Sequence, residues 1–227
     1  MNSDRTEMLI GKEGLARLKN ARVAVFGLGG VGSYAAEALV RSGVGYIMAV
    51  DGDTVSDSNL NRQLIALDST VGMDKCEVFK ARAKDISPDA VVDARKQFVL
   101  QDNIDELCLE SFDFVIDAVD TVAAKVAIIK KCKQNGVGII SCMGTGNKLR
   151  PEMLEITDIF NTSGCPLARV MRTRLKKEGI DSLTVVFSRE QPIRTGERVP
   201  GSMAFVPGAA GLMAASAAVR AIIAKED

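Results

Sequence analysis

The chain of 227 residues contains no histidine and no tryptophan. Without histidine there is no Ser–His or Cys–His nucleophile system, no imidazole general base and no imidazole metal ligand. The chemistry left open uses carboxylates, Lys, Arg, Cys, backbone amides or a cofactor. Net charge is also missing: 29 basic residues face 29 acidic ones. Attraction to a nucleic acid or a membrane must therefore come from a local patch. Aromatic side chains are scarce, eight Phe and two Tyr, which argues against an extensive base-stacking platform. The five cysteines, at 76, 108, 132, 142 and 165, form no C-x-x-C pair. That argues against a four-thiolate zinc site and against a secreted disulfide scaffold, and it fits a reducing cytoplasm. No apolar leader stands in MNSDRTEMLIGKEG, so no signal peptide is expected. One uncharged stretch, Val199 to Val219, is long enough to span a bilayer, but it holds Pro200 and Pro207 and is then mostly Ala and Gly. It is expected to form a buried or subunit-interface helix over about 208–224, with a peripheral lipid contact through 199–219 left open.

What is present is an alternation of short apolar runs and amphipathic helices. Arg22–Phe26, Tyr46–Val50, Val91–Val99, Phe112–Asp117 and Val137–Cys142 read as strands. Ser33–Ser42, Lys75–Ile86 and Thr121–Asn135 read as helices, with a short one at Ile104–Leu109. Alternation on this scale predicts an α/β fold, a Rossmann-like doubly wound and mostly parallel sheet. After Gly144 the pattern loosens into a strand at 154–157, a helix at 166–178, a strand at 183–187 and the Ala-rich end. The expected organisation is a nucleotide-binding core, 1–150, carrying a C-terminal α/β extension, 151–227, for substrate and dimer contacts.

Gly27-Leu-Gly-Gly-Val-Gly-Ser33 lies where the first strand gives way to a helix. Gly27, Gly29 and Gly32 fit G-x-G-x-x-G: one glycine for the tight turn, one to bare the backbone to phosphate, one for close helix–strand packing. The free amides of the helix start then bind an anion. Asp51, nineteen residues after Gly32 at the next strand end, is placed to hold a ribose. A nicotinamide dehydrogenase is the default reading of this fingerprint. Against it stands the segment after Asp51, which runs more than twenty residues through Asp53, Asn59 and Arg62 to Lys75 before helix resumes. Arg62 and Lys75 are what a reaction at a triphosphate requires, because an attacking carboxylate is otherwise repelled. Asp117 and Asp120, at a later strand end, are hard oxygen ligands suited to Mg²⁺.

Taken together, the glycine loop, the Asp-x-Asp, the Asn-x-x-Arg-Gln, the Gly-x-x-Lys and the Asp-Ala-x-Asp strand end resemble the E1-like adenylating superfamily, which includes the MoeB and ThiF enzymes. Arg5, Thr157-Asp158, Pro166-Leu-Ala-Arg169, Val186-Phe-Ser188 and Gly201–Pro207 extend the resemblance to the tRNA threonylcarbamoyladenosine dehydratases within it. The resemblance implies that Gly29, Gly30 and Ser33 line the phosphates of ATP and that Asp51 holds the ribose. Asn59, Arg62 and Lys75 would bind phosphate, Asp120 would hold Mg²⁺, and Arg5 would reach the nucleotide of the other subunit of a homodimer. It further implies ATP-dependent cyclisation of the threonylcarbamoyl side chain at adenosine 37 of tRNA. An adenylated carboxylate would be attacked by another atom of the same modified base, so no enzyme nucleophile is required.

Two features stand outside that core. Cys165, before the helix at 166–178, is a departure from the family pattern and reads as an ordinary semi-exposed cysteine. Arg169, Arg172, Arg174, Lys176 and Lys177 crowd one face of that helix, with Leu167, Val170, Met171 and Leu175 opposite. Joined by Lys148 and Arg150, this strip is a candidate phosphate contact for the anticodon arm of tRNA, not DNA. The alternative is a MoeB/ThiF-like enzyme adenylating a ubiquitin-like sulfur carrier, and docking of a sulfur-transfer protein stays open under either reading.

Overall fold

The computed structural model describes residues 1 and 3–224. Seven strands form one sheet: β1 (Arg22–Phe26), β2 (Tyr46–Val50), β3 (Val91–Arg95), β4 (Phe114–Asp117), β5 (Gly138–Cys142), β6 (Leu154–Asp158) and β7 (Thr184–Ser188). Their order is β3-β2-β1-β4-β5-β7-β6. All neighbours are parallel except β6, which runs antiparallel to β7 at the edge. The order reverses between β1 and β4, and ligands of open α/β sheets bind outside the strand C-termini at such a switch point. The helices are α1 (Asp4–Asn20), α2 (Gly32–Ser42), α3 (Lys75–Ile86), α4 (Val122–Gln134), α5 (Pro166–Lys177) and α6 (Phe205–Ile223).

The central strands are buried along nearly their whole length, as the continuous apolar runs require of a parallel sheet covered on both faces. One core joins β1 and β2 to α2 and α6; the other joins the opposite face to α4 and α5. Residues after 150 therefore add two strands to the same sheet and one helix to each side of it. The Ala-rich α6 starts at Phe205, three residues earlier than its composition suggests, with Pro207 in its first turn. Its small residues let it lie directly on α2: a Cβ at Gly211 would stand 2.2 Å from the Val31 carbonyl oxygen. It is also the one helix among the described residues long and apolar enough to cross a membrane, with half of that span buried against the protein.

Two other features differ from the sequence pattern, and a third, an ion-pair tie between helices, is added by the fold. β3 stops at Arg95, and residues 97–100 instead fold over the strand ends toward the ligand cavity. An N-terminal helix, α1, is broken at Gly11 (φ 75°, ψ 170°), leaving Met8 and Leu9 each 85% exposed. α2 is tied to α3 through Glu37, whose carboxylate accepts from Arg41 Nε at 2.8 Å and from the Arg82 guanidinium.

Burial pushes the Glu37 carboxyl up, but the two guanidinium partners outweigh it and hold it below its ordinary value near 4.5. A depressed carboxyl contributes stability that is present above the unfolded-state value and lost as pH falls through the folded one. Chemical unfolding should therefore show wild type losing stability below about pH 4.5 more steeply than Glu37→Gln. Gly211→Val should cost about 1–3 kcal/mol by overpacking the α2–α6 seam, read as a lower Tm.

Candidate nucleotide-binding site

A cavity of about 840 Å³ opens at the switch point, between the glycine loop, the β2–α3 segment and the β4 exit. Gly27 has φ 84°, and a Cβ there would approach the Ala118 carbonyl oxygen to 2.8 Å; at Gly32 it would come within 1.7 Å of Gly27 O. Those two glycines thus let β1, α2 and the β4 exit touch through backbone. Gly29 is different: its Cβ position is open, with the nearest atom, Gln63 Nε2, at 3.9 Å. The bare loop faces the cavity at Gly29 and Gly30. Ser33 does not line it. Its hydroxyl is wholly buried, donating to Gly29 O (2.7 Å) and accepting from Leu64 N (3.2 Å), which fastens the glycine loop to the Arg62 loop.

Asp51 ends β2 with a carboxylate that accepts from Leu28 N (2.6 Å) and Asp53 N (2.8 Å). Lys75, only 4% exposed, donates to Asp53 at 2.9 Å and stands 3.8 Å from Asp51. A buried ammonium needs such partners, so the two aspartates keep Lys75 at the cavity wall. Asn59 lines the cavity but is committed to its own turn, accepting from Ser56 N at 3.2 Å. That turn in turn accepts from Arg62 Nη1 at Ser58 O, 2.6 Å. Asp120 lines the cavity as an exposed carboxylate with no hydrogen bond or ion pair among the described residues.

Asp117 must be moved out of the site. It is fully buried and does not border the cavity; instead it accepts from Lys125 Nζ (3.0 Å) and Ser141 Oγ (2.6 Å). Arg5 lies exposed on the outer part of α1 and does not reach the cavity of its own chain. Sequence reasoning missed Gln63 and Gln97. Gln63 Oε1 and Gln97 Nε2 are buried without partners, and both residues line this cavity. Buried polar atoms are normally satisfied, so the pair marks a ligand that is polar along its length. An open glycine cradle, two cations and these two amides fit a nucleoside triphosphate, and the unpaired Asp120 carboxylate fits a hard divalent cation.

A second cavity of about 640 Å³ is lined by Cys165, Arg169 and Arg172. Cys165 is 3% exposed, not semi-exposed as its polar surroundings suggested. Within α5, Arg172 turns inward to donate to Thr162 O (3.0 Å), while Val170 is 45% exposed. Lys148 is buried as well, donating to Gly144 O at 3.0 Å; burial lowers its pKa, partly offset by Cys165 and Glu190. The outward basic strip is therefore Arg169, Arg174, Lys176 and Lys177, with Arg150 exposed as well. Burial pushes the thiols of Cys76, Cys132 and Cys142 up to about 12, so they stay protonated and unreactive.

The model of the ThiF family matches residues 3–227. The chain belongs to the ThiF family. It is 46% identical over 227 residues to the tRNA threonylcarbamoyladenosine dehydratase of Bacillus subtilis (strain 168), covering 92% of this chain and 89% of that one. It is 39% identical over 173 residues to the protein of the same name from Escherichia coli (strain K12), covering 76% of this chain and 65% of that one. The crystal structure of the E. coli tRNA N6-threonylcarbamoyladenosine dehydratase in complex with ATP superposes with a TM-score of 0.92 at 35% identity, over 97% of this chain and 93% of that one.

The contrast between two glycines tests the cavity. Gly29→Ala should leave Tm unchanged while weakening ATP binding in calorimetry, because the added methyl occupies open space before the loop amides. Gly32→Ala should instead fail to fold stably, because its methyl would meet backbone.

Proposed function

We propose that this chain is an ATP-dependent tRNA threonylcarbamoyladenosine dehydratase, closing the side chain of the modified adenosine at tRNA position 37 into a ring with loss of water. The observation that carries the reading is the convergence of Arg62 and Lys75 on an open glycine cradle in a single cavity. A nicotinamide dinucleotide carries less phosphate charge at this position than a triphosphate and so makes less use of two cations there. The family relationship and the ATP complex of the E. coli relative support the same conclusion. A sulfur-carrier adenylating role is less well supported, since the named relatives of highest identity carry the dehydratase name.

The chemistry follows from charge. A carboxylate loses its oxygen only when the oxygen is made a good leaving group, and transfer of AMP from ATP does this. Backbone amides of Gly29 and Gly30 orient the phosphates, and Asp51 accepts from the ribose. Arg62 and Lys75 offset the negative charge that repels the incoming carboxylate and stabilise the departing pyrophosphate. As phosphate takes Lys75, the ammonium exchanges its Asp53 contact for another charge-assisted one. Mg²⁺, held by Asp120, would neutralise phosphate charge. Ring closure is intramolecular, so positioning alone accelerates it and the absence of histidine is no handicap.

The active form is proposed as a cytoplasmic homodimer. The outer part of α1, with the exposed Arg5, Met8 and Leu9, would pack on the second subunit and present Arg5 to its nucleotide. The tRNA would lie along the exposed basic face of α5.

Wild type should exchange labelled pyrophosphate into ATP with threonylcarbamoyl-modified tRNA but not with a small protein ending in Gly-Gly; mass spectrometry of the tRNA should show loss of one water. Exchange with the carrier protein alone would reverse the assignment. Arg62→Ala and Lys75→Ala should each lower kcat by about a hundredfold, whereas Cys165→Ala should retain turnover. The double variant Arg169→Glu/Arg174→Glu should weaken tRNA binding and flatten its salt dependence by about two in log–log slope, with KM for ATP unchanged.

A further inference from the structure

Lys125 is the most deeply buried cation among the described residues, with a relative exposure of 0%, and the reaction outlined above makes no use of it. It rises from the first turn of α4 on the apolar stripe that also carries Ile128, Ile129 and Cys132. Its ammonium donates three bonds: to Asp117 Oδ2 (3.0 Å), Ser141 Oγ (3.2 Å) and Cys142 O (2.8 Å). The three acceptors belong to the ends of two adjacent parallel strands, where Asp117 and Ser141 are register partners. Ser141 Oγ donates to the same Asp117 oxygen at 2.6 Å. The other oxygen, Asp117 Oδ1, accepts from Val119 N at 3.3 Å, bending the chain immediately after β4.

Residues 118–121, which link β4 to α4, form the turn that presents Asp120 to the cavity. One end of that turn is fixed by Asp117 and the other by the start of α4, where Lys125 N donates to Thr121 O. The turn cannot drift sideways either, since Ala118 N donates to Phe26 O and Ala118 packs against Gly27 and Gly32. The bond to Cys142 O reaches the β5 exit, whose loop brings Thr145 to the cavity wall. One amine thus triangulates the β4 exit, the α4 start and the β5 exit, all of which border the site.

We infer that the Lys125–Asp117–Ser141 cluster is a positioning device for Asp120: it sets the turn that aims the metal-binding carboxylate at the triphosphate. The inference rests on the proposed ATP-dependent reaction. A buried ion pair is weak evidence for stability, because replacing both charges with neutral groups is often tolerated while removing one partner is not. That asymmetry separates aiming from folding.

The test uses the full chain and follows Tm, KM for ATP, kcat for pyrophosphate exchange and the Mg²⁺ concentration for half-activation. Lys125→Met should lower Tm, leaving Asp117 buried and unpaired. The double variant Asp117→Asn/Lys125→Met should recover most of the Tm. In the double variant, kcat should nonetheless fall and the Mg²⁺ requirement rise, each by roughly tenfold or more, as expected of a misplaced group, with KM for ATP nearly unmoved. The milder Ser141→Ala, which keeps both charges, should fold normally and shift the Mg²⁺ requirement in the same direction. A folded double variant, or a folded Ser141→Ala, with wild-type kcat and Mg²⁺ requirement would overturn the inference and leave the cluster as a folding element. Failure of the underlying reaction looks different: wild type itself would show no exchange. Binding of Mg²⁺ with ATP, compared by calorimetry in wild type and Ser141→Ala, would then still decide the cluster's role, equal metal affinity counting against it.

Discussion

The site depends on a backbone-to-backbone approach that only glycine permits. With 1.7 Å between a notional Gly32 Cβ and Gly27 O, and 2.8 Å between a Gly27 Cβ and Ala118 O, the β1–α2 loop and the β4 exit are in contact with no side chain between them. Everything functional is measured from that contact. It puts the amides of Gly29 and Gly30 in front of the helix start, where the aligned peptide dipoles favour an anion. It also brings the turn bearing Asp120 to face them. A switch point in a parallel sheet supplies a crevice; this approach determines how narrow the crevice is.

Around the contact, charge is arranged in layers. The innermost is the neutral Lys125–Asp117 pair, out of water and satisfied by Ser141 and Cys142 O. The next is Lys75, held between Asp53 and Asp51 at the cavity wall. Outermost are Arg62, braced by Ser58 O, and the free carboxylate of Asp120. Both inner ammonium groups thus have carboxylate partners before any ligand arrives, and neither is buried alone.

Much of this was readable from sequence because the signals were local. The G-x-G-x-x-G spacing, the strand end at Asp51 and the long polar segment through Arg62 to Lys75 each act within a few residues of where they stand, and the strand and helix periods set the sheet around them. What failed to show was tertiary. Asp117 and Asp120 look alike at a strand end, yet one points under the sheet and the other into the cavity. Their separation becomes clear only when β4 and β5 are paired and Ser141 falls beside Asp117. A clue existed: Lys125 sits at i, i+3, i+4 and i+7 with Ile128, Ile129 and Cys132, a charge on an apolar stripe that demands a buried partner. Gln63 stood in the Asn-x-x-Arg-Gln motif without a role of its own and Gln97 stood in none, since an amide announces nothing until its surroundings are known to be dry. Likewise Arg172 and Lys148 looked like members of a basic strip, and only the packing of Thr162 and Gly144 against them removed them from it.

The break at Gly11 sets the mechanics of the N-terminal segment. The part of α1 before it is held to the body at both ends, by Ile10 packed on the core and by the Met1 amino group 3.8 Å from Asp89, with Met8 and Leu9 bare to solvent between them. Such a strut holds the two apolar side chains in a set place, while Leu15 and Leu18 root the rest of the helix in the core. A surface that meets this apolar pair finds it already ordered, with little conformational entropy left to lose.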